Sequence, residues 1–248
     1  MSNLKLWQSV EKTDPSATKT SNHGGRTQTS IDGYYMFMRA TEAFGPMGIG
    51  WGFNIKEERW DEGALIPIKS EDNTVRFEQS KTHTVVIDFW YILDGARGEF
   101  PAIGHTPAVY KSKYGASDDG EAPKKSLTDA VKKALSFLGF GGDIFMGKFE
   151  DTEYLQMLKV EAEIGKAEDK AAEVDSKRAD IIDYITRQIS AIETAHAANE
   201  VNAFAKSSIR HLDMQKKIPQ IKELCETGIL KITKLANDKK QSFTGEQK

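Results

Sequence analysis

Residues 82–93 read THTVVIDFWYIL, and this run decides the class of fold. In an extended chain Val85, Ile87, Phe89 and Tyr91 fall on one side and Val86, Asp88, Trp90 and Ile92 on the other, so both faces are largely apolar. Such a strand belongs in the middle of a sheet, with helical cover on at least one side. Shorter runs flank it: Ile49 to Glu58 and Ala64 to Lys69 before, Glu99 to His105 after. Each is rich in aromatic and β-branched residues, and Gly, Asp, Asn and Pro punctuate them. Consecutive short strands spaced in this way form an antiparallel meander.

Two helical patterns bracket the strands. From Ile31 to Phe44, Tyr34, Tyr35, Phe37, Met38, Ala40, Thr41 and Phe44 recur at three-and-four spacing, closed by Gly45-Pro46. From Ser126 to Leu138, after a loop rich in glycine and charge, Leu127, Ala130, Val131, Ala134, Leu135 and Leu138 form an apolar stripe that Gly139 stops. The expected fold is α+β: an antiparallel β-meander packed against helices over residues 31–160. Residues 1–30, rich in Thr, Ser, Asn and Gly, read as an arm or long ordered loop. Residues 161–180 have few large apolar side chains and read as an acidic helix or a tether. Residues 181–248 recover three apolar stripes and read as a small appendage of two or three helices.

The 248 residues, 39% hydrophobic and 29% charged, exclude a disulfide-stapled miniprotein and a wholly disordered chain. A lone cysteine, Cys225, makes neither an internal disulfide nor a multi-thiolate zinc site and fits a reducing compartment, with the cytosol as the default expectation. The polar N-terminus and the lack of a run of ~18 apolar residues give no sign of export or of a membrane partner. The net charge of -3 argues against a nucleic-acid partner. Counting by segment changes that picture. Residues 149–205 carry 6 basic and 13 acidic side chains, residues 206–248 carry 10 and 5, and residues 1–148 carry 18 and 19.

Within the near-neutral first part Lys111, Lys113, Lys124, Lys125, Lys132 and Lys133 fall in 23 residues. At 100° per residue Lys125, Lys132 and Lys133 adjoin on one helix face, opposite Leu127, Val131, Ala134 and Leu138. Such lysines make either a solvated helix face or a surface that tracks phosphates. Tyr110 and Tyr114 lie close in sequence, and Tyr34, Tyr35, Trp51 and Phe53 in the first helix and strand. A basic track with aromatic neighbours suits single-stranded nucleic acid, although most of these aromatics read as core.

No catalytic constellation emerges. There is no G-x-x-x-x-G-K-[ST] run, and Gly45, Gly48, Gly50 and Gly52 read as a turn entering a strand rather than a nucleotide loop. The five histidines form no ligand-like cluster. The acids Asp118-Asp119-Glu121 and Glu150-Asp151-Glu153 could bind Mg²⁺ as nuclease carboxylates do, but solvated or helix-capping charge is the simpler reading. Cys225 reads as packing. No metal and no cofactor is expected.

Three features then combine: Glu42-Ala-Phe-Gly45 followed by Gly50-Trp51, the strands, and Lys124-Lys-Ser-Leu-Thr-Asp129-Ala-Val-Lys132-Lys133-Ala-Leu with Gly139 after it. Together they resemble the Rad fifty-two family of single-strand annealing proteins. The runs Ala122 to Ala130 and Leu138 to Gly147 are more similar to annealing recombinases of bacteriophages and prophages. The likeness covers about residues 30–160.

The resemblance implies a β-sheet and helix core that assembles edge to edge into a homo-oligomeric ring or filament. Single-stranded DNA would lie along an outer basic groove, bases free to pair into an annealed duplex intermediate, without ATP or metal. Its basic positions fall on Lys124, Lys132 and Lys133, and Lys113 lies near another. A first-helix position often basic in the eukaryotic relatives is Tyr35 here, which leaves Arg26 or Arg39 to supply that contact, and a later basic position is Ser136. Thr128 and Asp129 read as capping or bracing the second helix. Alternatively, Asp129 bonds to a neighbouring subunit or orients Lys125. The C-terminal region would dock a phage exonuclease or the host single-strand-binding protein, or only pack on the ring. The competing functional classes are a passive single-strand coat protein and a metal-dependent nuclease.

Overall fold

In the computed structural model, which describes residues 3–23, 26–69, 74–113 and 115–245, the run 82–93 lies inside a four-stranded antiparallel sheet. Tyr114, one of the aromatics named above, lies outside the described residues. The strands, in the order β3 (Trp51–Lys69), β4 (Val75–Leu93), β5 (Ala96–Ser112) and β6 (Gly115–Asp118), form a meander. Before them come α1 (Lys5–Val10), β1 (Thr18–His23), β2 (Arg26–Ile31) and α2 (Gly33–Phe44); after them comes α3 (Ala122–Phe137).

Val85, Ile87 and Phe89 on the inner face of β4 are at most 2% exposed. They meet Trp51 and Ala102 of the neighbouring strands, Met36, Ala40 and Phe44 of α2, and Ala130, Val131, Ala134 and Leu135 of α3. The other face of β4 has no helix in that core, and there Arg97 lies over the Trp90 ring at 4.5 Å. The two-sided apolar pattern is thus met by helices on one side and by aromatic and cation contacts on the other.

The strands are longer than their sequence signals. The run expected from Ile49 to Glu58 enters the sheet at Trp51 and is one strand with Ala64 to Lys69, because the polar stretch between them is a bulge in the pairing with β4 rather than a turn. The carbonyls of Gly63 and Ala64 there are taken by the side chains of Gln79 and Ser80. The strand β5 runs past His105 through Pro107. Over 96–108 it is paired only with β4, so proline's missing amide removes no ladder bond from the open edge.

The N-terminal residues, expected as an arm, form α1 and the antiparallel hairpin of β1 and β2. Trp7 packs on Gly139, whose φ of +103° and lack of a side chain let the indole approach: a Cβ there would lie 2.8 Å from it. Asp143, in the short helix α4 (Gly142–Phe145), is fully buried. Its carboxylate accepts from Thr13 N at 2.8 Å and Thr13 Oγ1 at 2.7 Å, which fixes the N-terminal segment to the turn after α3.

The chain divides into two compact units, the first comprising Met1–Thr13 with Ala17–Met146 and the second Asp14–Ser16 with Gly147–Lys248. The second is all-helical: α5 (Thr152–Lys166), α6 (Lys170–Thr194), α7 (Ala198–Gln215) and α8 (Lys222–Gly245). Residues 161–180 are the end of α5 and the start of α6, broken only where Asp169 caps α6 by accepting from Ala171 N and Ala172 N. This part is therefore helix, not tether. Ile181, Ile185, Ile192, Val201, Leu212, Ile232 and Cys225 make the core of this unit. Among the described residues no helix is long and apolar enough to cross a membrane.

Candidate nucleic-acid interface

Helix α3 starts one turn earlier than its apolar stripe suggests. Proline is at home in a first turn, where its missing amide has no partner to lose, and Pro123 lies there. Lys124 and Lys125 therefore belong to the helix rather than to the preceding loop. A cation in the first turn faces the positive end of the helix dipole, an unfavourable place worth about 0.3–1 kcal/mol per charge. Two acids offset it. Glu121 bonds to Lys124, and Asp119 accepts from Lys125 at 2.6 Å. The Lys125 ammonium holds the Asp119 carboxyl below its ordinary value, and Glu121 raises Lys124. Lys124, Lys125 and Glu121 are open to water and the Asp119 side chain is 18% exposed; at such a surface these pairs contribute about 0–1 kcal/mol and exchange partners readily.

Lys132 is different. Its ammonium donates to the Ile31 carbonyl at 2.8 Å and its stem lies beside Gly33, so it ties α3 to the start of α2 as well as presenting charge. Lys133 lies over the Phe137 ring at 5.0 Å. Lys124, Lys125 and Lys132 line an open depression of about 330 Å³ together with His105, Thr106, Thr128 and Asp129. Lys133, Lys111 and Lys113 do not line it. Lys111 faces Ala116 across the hairpin of β5 and β6, and Lys113 follows the end of β5.

Arg39 is committed elsewhere: it donates to Glu42 at 2.7 Å and to the Ser9 carbonyl at 3.0 Å, joining α1 to α2. Arg26 opens β2, and its side chain lies outside what is described. Gly45 ends α2 with a φ of +95°, and Trp51 is buried with its indole N–H donating to Thr41 Oγ1 at 3.3 Å.

Thr128 Oγ1 donates to the Lys124 carbonyl within α3. Asp129 accepts from the His105 amide at 3.3 Å, on the open edge of β5, and so braces the helix to the sheet. Lys125 is oriented by Asp119 rather than by Asp129. Of the acids with a possible Mg²⁺ role, Asp119 also accepts from Glu121 N, Asp151 caps α5 and pairs with Arg210 at 3.0 Å, and Glu153 bonds to His211 at 2.7 Å. Among the described residues no group of three or more His, Cys, Asp or Glu could hold a metal ion.

Sequence reasoning missed the surroundings of the depression. Tyr35 packs against the core, but Tyr34 is 83% exposed on the first turn of α2. Gly33 brings that turn against Thr128 and Lys132: a Cβ at Gly33 would lie 2.9 Å from Thr128 Cγ2. Neither contact leaves a periodic signal, because each joins residues about a hundred positions apart. No family model matches the chain, and neither does any curated protein or solved structure.

Proposed function

We propose that this chain is an ATP-independent single-strand annealing protein. It holds single-stranded DNA by its phosphates along the exposed face of α3 and leaves the bases free to pair. The observation that carries the reading is the pair Lys124 and Lys125 in the first turn of a helix. Helix electrostatics disfavour cations there, yet a phosphate would be met by both ammonium groups and by the helix end. Lys132 and Lys133 extend the charge along the same helix, and the resemblance to annealing proteins gives the class of ligand.

The family likeness also supports assembly into a ring or filament. Leu65 and Phe77, on one face of the far end of the hairpin of β3 and β4, are 59% and 63% exposed, and apolar side chains so placed suit contact with a second copy. The basic surface formed by Lys206 and Arg210 of α7 with Lys216 and Lys217 just after it suits an acidic partner such as the expected exonuclease or single-strand-binding protein.

The test is annealing of complementary oligonucleotides without nucleotide or metal, measured beside binding affinity. The variant Lys124→Gln/Lys125→Gln/Lys133→Gln spares the structural Lys132. Its slope of log affinity against log salt should be shallower by about 2, from roughly 0.7 per lost single-strand phosphate contact. Its annealing rate should fall at least about tenfold at about 150 mM salt, since phosphate contacts dominate affinity there. Annealing at the parent rate would overturn the assignment. A parent that binds strands without accelerating their pairing would be a passive coat protein instead.

A further inference from the structure

Tyr34 is a large aromatic side chain left almost wholly in water on an ordered helix, and the core does not account for it. Its ring meets Phe37 edge-on, with centroids 5.8 Å apart, and Phe37 in turn packs on buried Trp51 at 6.1 Å. The ring is thus backed from below while most of its surface stays open. One turn on, Met38 is also half exposed, which extends the apolar strip along α2.

Tyr34 adjoins the lysine depression. The preceding Gly33 touches Thr128 and Lys132, so the first turn of α2 that carries Tyr34 lies against the helix that carries the lysines. The two first-turn amides, Tyr34 N and Tyr35 N, are already taken by the Asp32 carboxylate at 2.8 and 3.2 Å. That end of α2 therefore repels a phosphate, and what suits it is an uncharged flat group carried by a strand whose charge lies elsewhere.

We propose that Tyr34 is a stacking platform for a nucleobase of a strand whose phosphates lie on Lys124 and Lys125. This inference rests on the single-strand reading above and adds to it a base contact without sequence preference, since every base has a π-face. It also divides the surface physically: phosphates sit on α3, and one base per subunit sits at the head of α2.

The experiment compares the full chain with Tyr34→Ala and Tyr34→Phe on fluorescent oligothymidylate and on an abasic strand of the same length. Stacking of one base predicts that Tyr34→Ala weakens oligothymidylate binding roughly 5- to 100-fold while Tyr34→Phe stays within about twofold of the parent. The abasic strand should bind parent and Tyr34→Ala alike. The salt slope of Tyr34→Ala should equal the parent's, because no phosphate contact is removed. Unchanged oligothymidylate binding by Tyr34→Ala, with the lysine variant still weakened, overturns the platform and leaves the single-strand reading in place. A parent that binds neither strand overturns both. A smaller assembly for Tyr34→Ala without DNA, measured by sedimentation, would make Tyr34 a subunit contact and overturn the platform.

Discussion

Replacing Gly104 by alanine tests the packing on which the whole lysine face depends. Gly104 lies in β5 directly beneath α3, and an added Cβ would sit 2.9 Å from Ala130 Cα and closer still to the Ser126 carbonyl and the Ala130 amide. All three obstacles are backbone atoms of one helix, so no side chain can swing aside. Relief to the 3.4 Å of ordinary contact with the Ser126 carbonyl, 2.1 Å from that Cβ, requires the helix to retreat by about 1.3 Å. A gap of about 1 Å already forfeits roughly half of the contact energy of each atom pair it opens. The pairs lie along Ala130, Ala134 and Leu135, all fully buried. Together with the strain, the expected loss is about 3 kcal/mol, at the upper end for an overpacked core. The four tryptophans, Trp7, Trp51, Trp60 and Trp90, all lie in the first unit, so urea unfolding followed by their fluorescence reports that unit alone. Gly120→Ala is the control: nothing lies within 4 Å of its added Cβ, and its midpoint should match or slightly exceed the parent's. If Gly104→Ala unfolded within about 0.5 kcal/mol of the parent, the range of an ordinary surface substitution, the close seating of α3 on β5 would be refuted.

Asp119→Asn with Glu121→Gln removes the two carboxylates that hold Lys125 and Lys124. Oligonucleotide affinity at low salt should rise severalfold with little change in stability, and an unchanged affinity would remove these lysines from the binding surface. Asp143→Ala leaves the Thr13 amide and hydroxyl without their buried acceptor. It should lower the first unit's stability by about 3 kcal/mol and speed proteolytic cleavage near residue 13, both readable by limited digestion. Burial pushes the Cys225 thiol from 9.0 up to about 11. A value raised by folding means that its contribution is complete below about pH 9 and is lost as pH climbs to about 11. The thermal midpoint of the helical unit should therefore fall across that window in the parent and less so in Cys225→Ala, as followed by circular dichroism.

The parts of the fold legible in the sequence were those with a short period. The alternation of Val85 to Ile92 placed β4 in the sheet interior, and the stripe from Leu127 to Leu138 gave α3 its buried face. Strand lengths were harder to read, because a bulge and a turn share residue types. The stretch Asp61-Glu62-Gly63, turn-like in residue type, continues β3 through a bulge. The N-terminal hairpin was missed because β1 and β2, TKTSNH and RTQTSI, are polar strands without an apolar alternation. The lysines of α3 were legible as a helical face. Their differing commitments were not, since Lys132 meets Ile31 and Asp129 meets His105 across 101 and 24 residues of sequence.

The partners of those lysines bear on the net charge of -3. A surface built to grip a polyanion as tightly as it could would leave its cations unpaired, yet Lys124 and Lys125 each hold a carboxylate on their own helix end. Binding a phosphate there exchanges one anion for another, so the net gain per lysine is smaller than for a bare ammonium. On the proposed reading, a weak and readily exchanged grip per subunit suits an annealing surface. A strand held at many equivalent sites in register stays bound through multivalency, while each local contact can open as a complementary strand pairs. The acids beside the lysines then set how fast the strand can rearrange, and their removal should strengthen binding while slowing the annealing of strands that first pair out of register. Tighter binding together with faster annealing of such strands by Asp119→Asn/Glu121→Gln would show that the carboxylates do not serve this purpose.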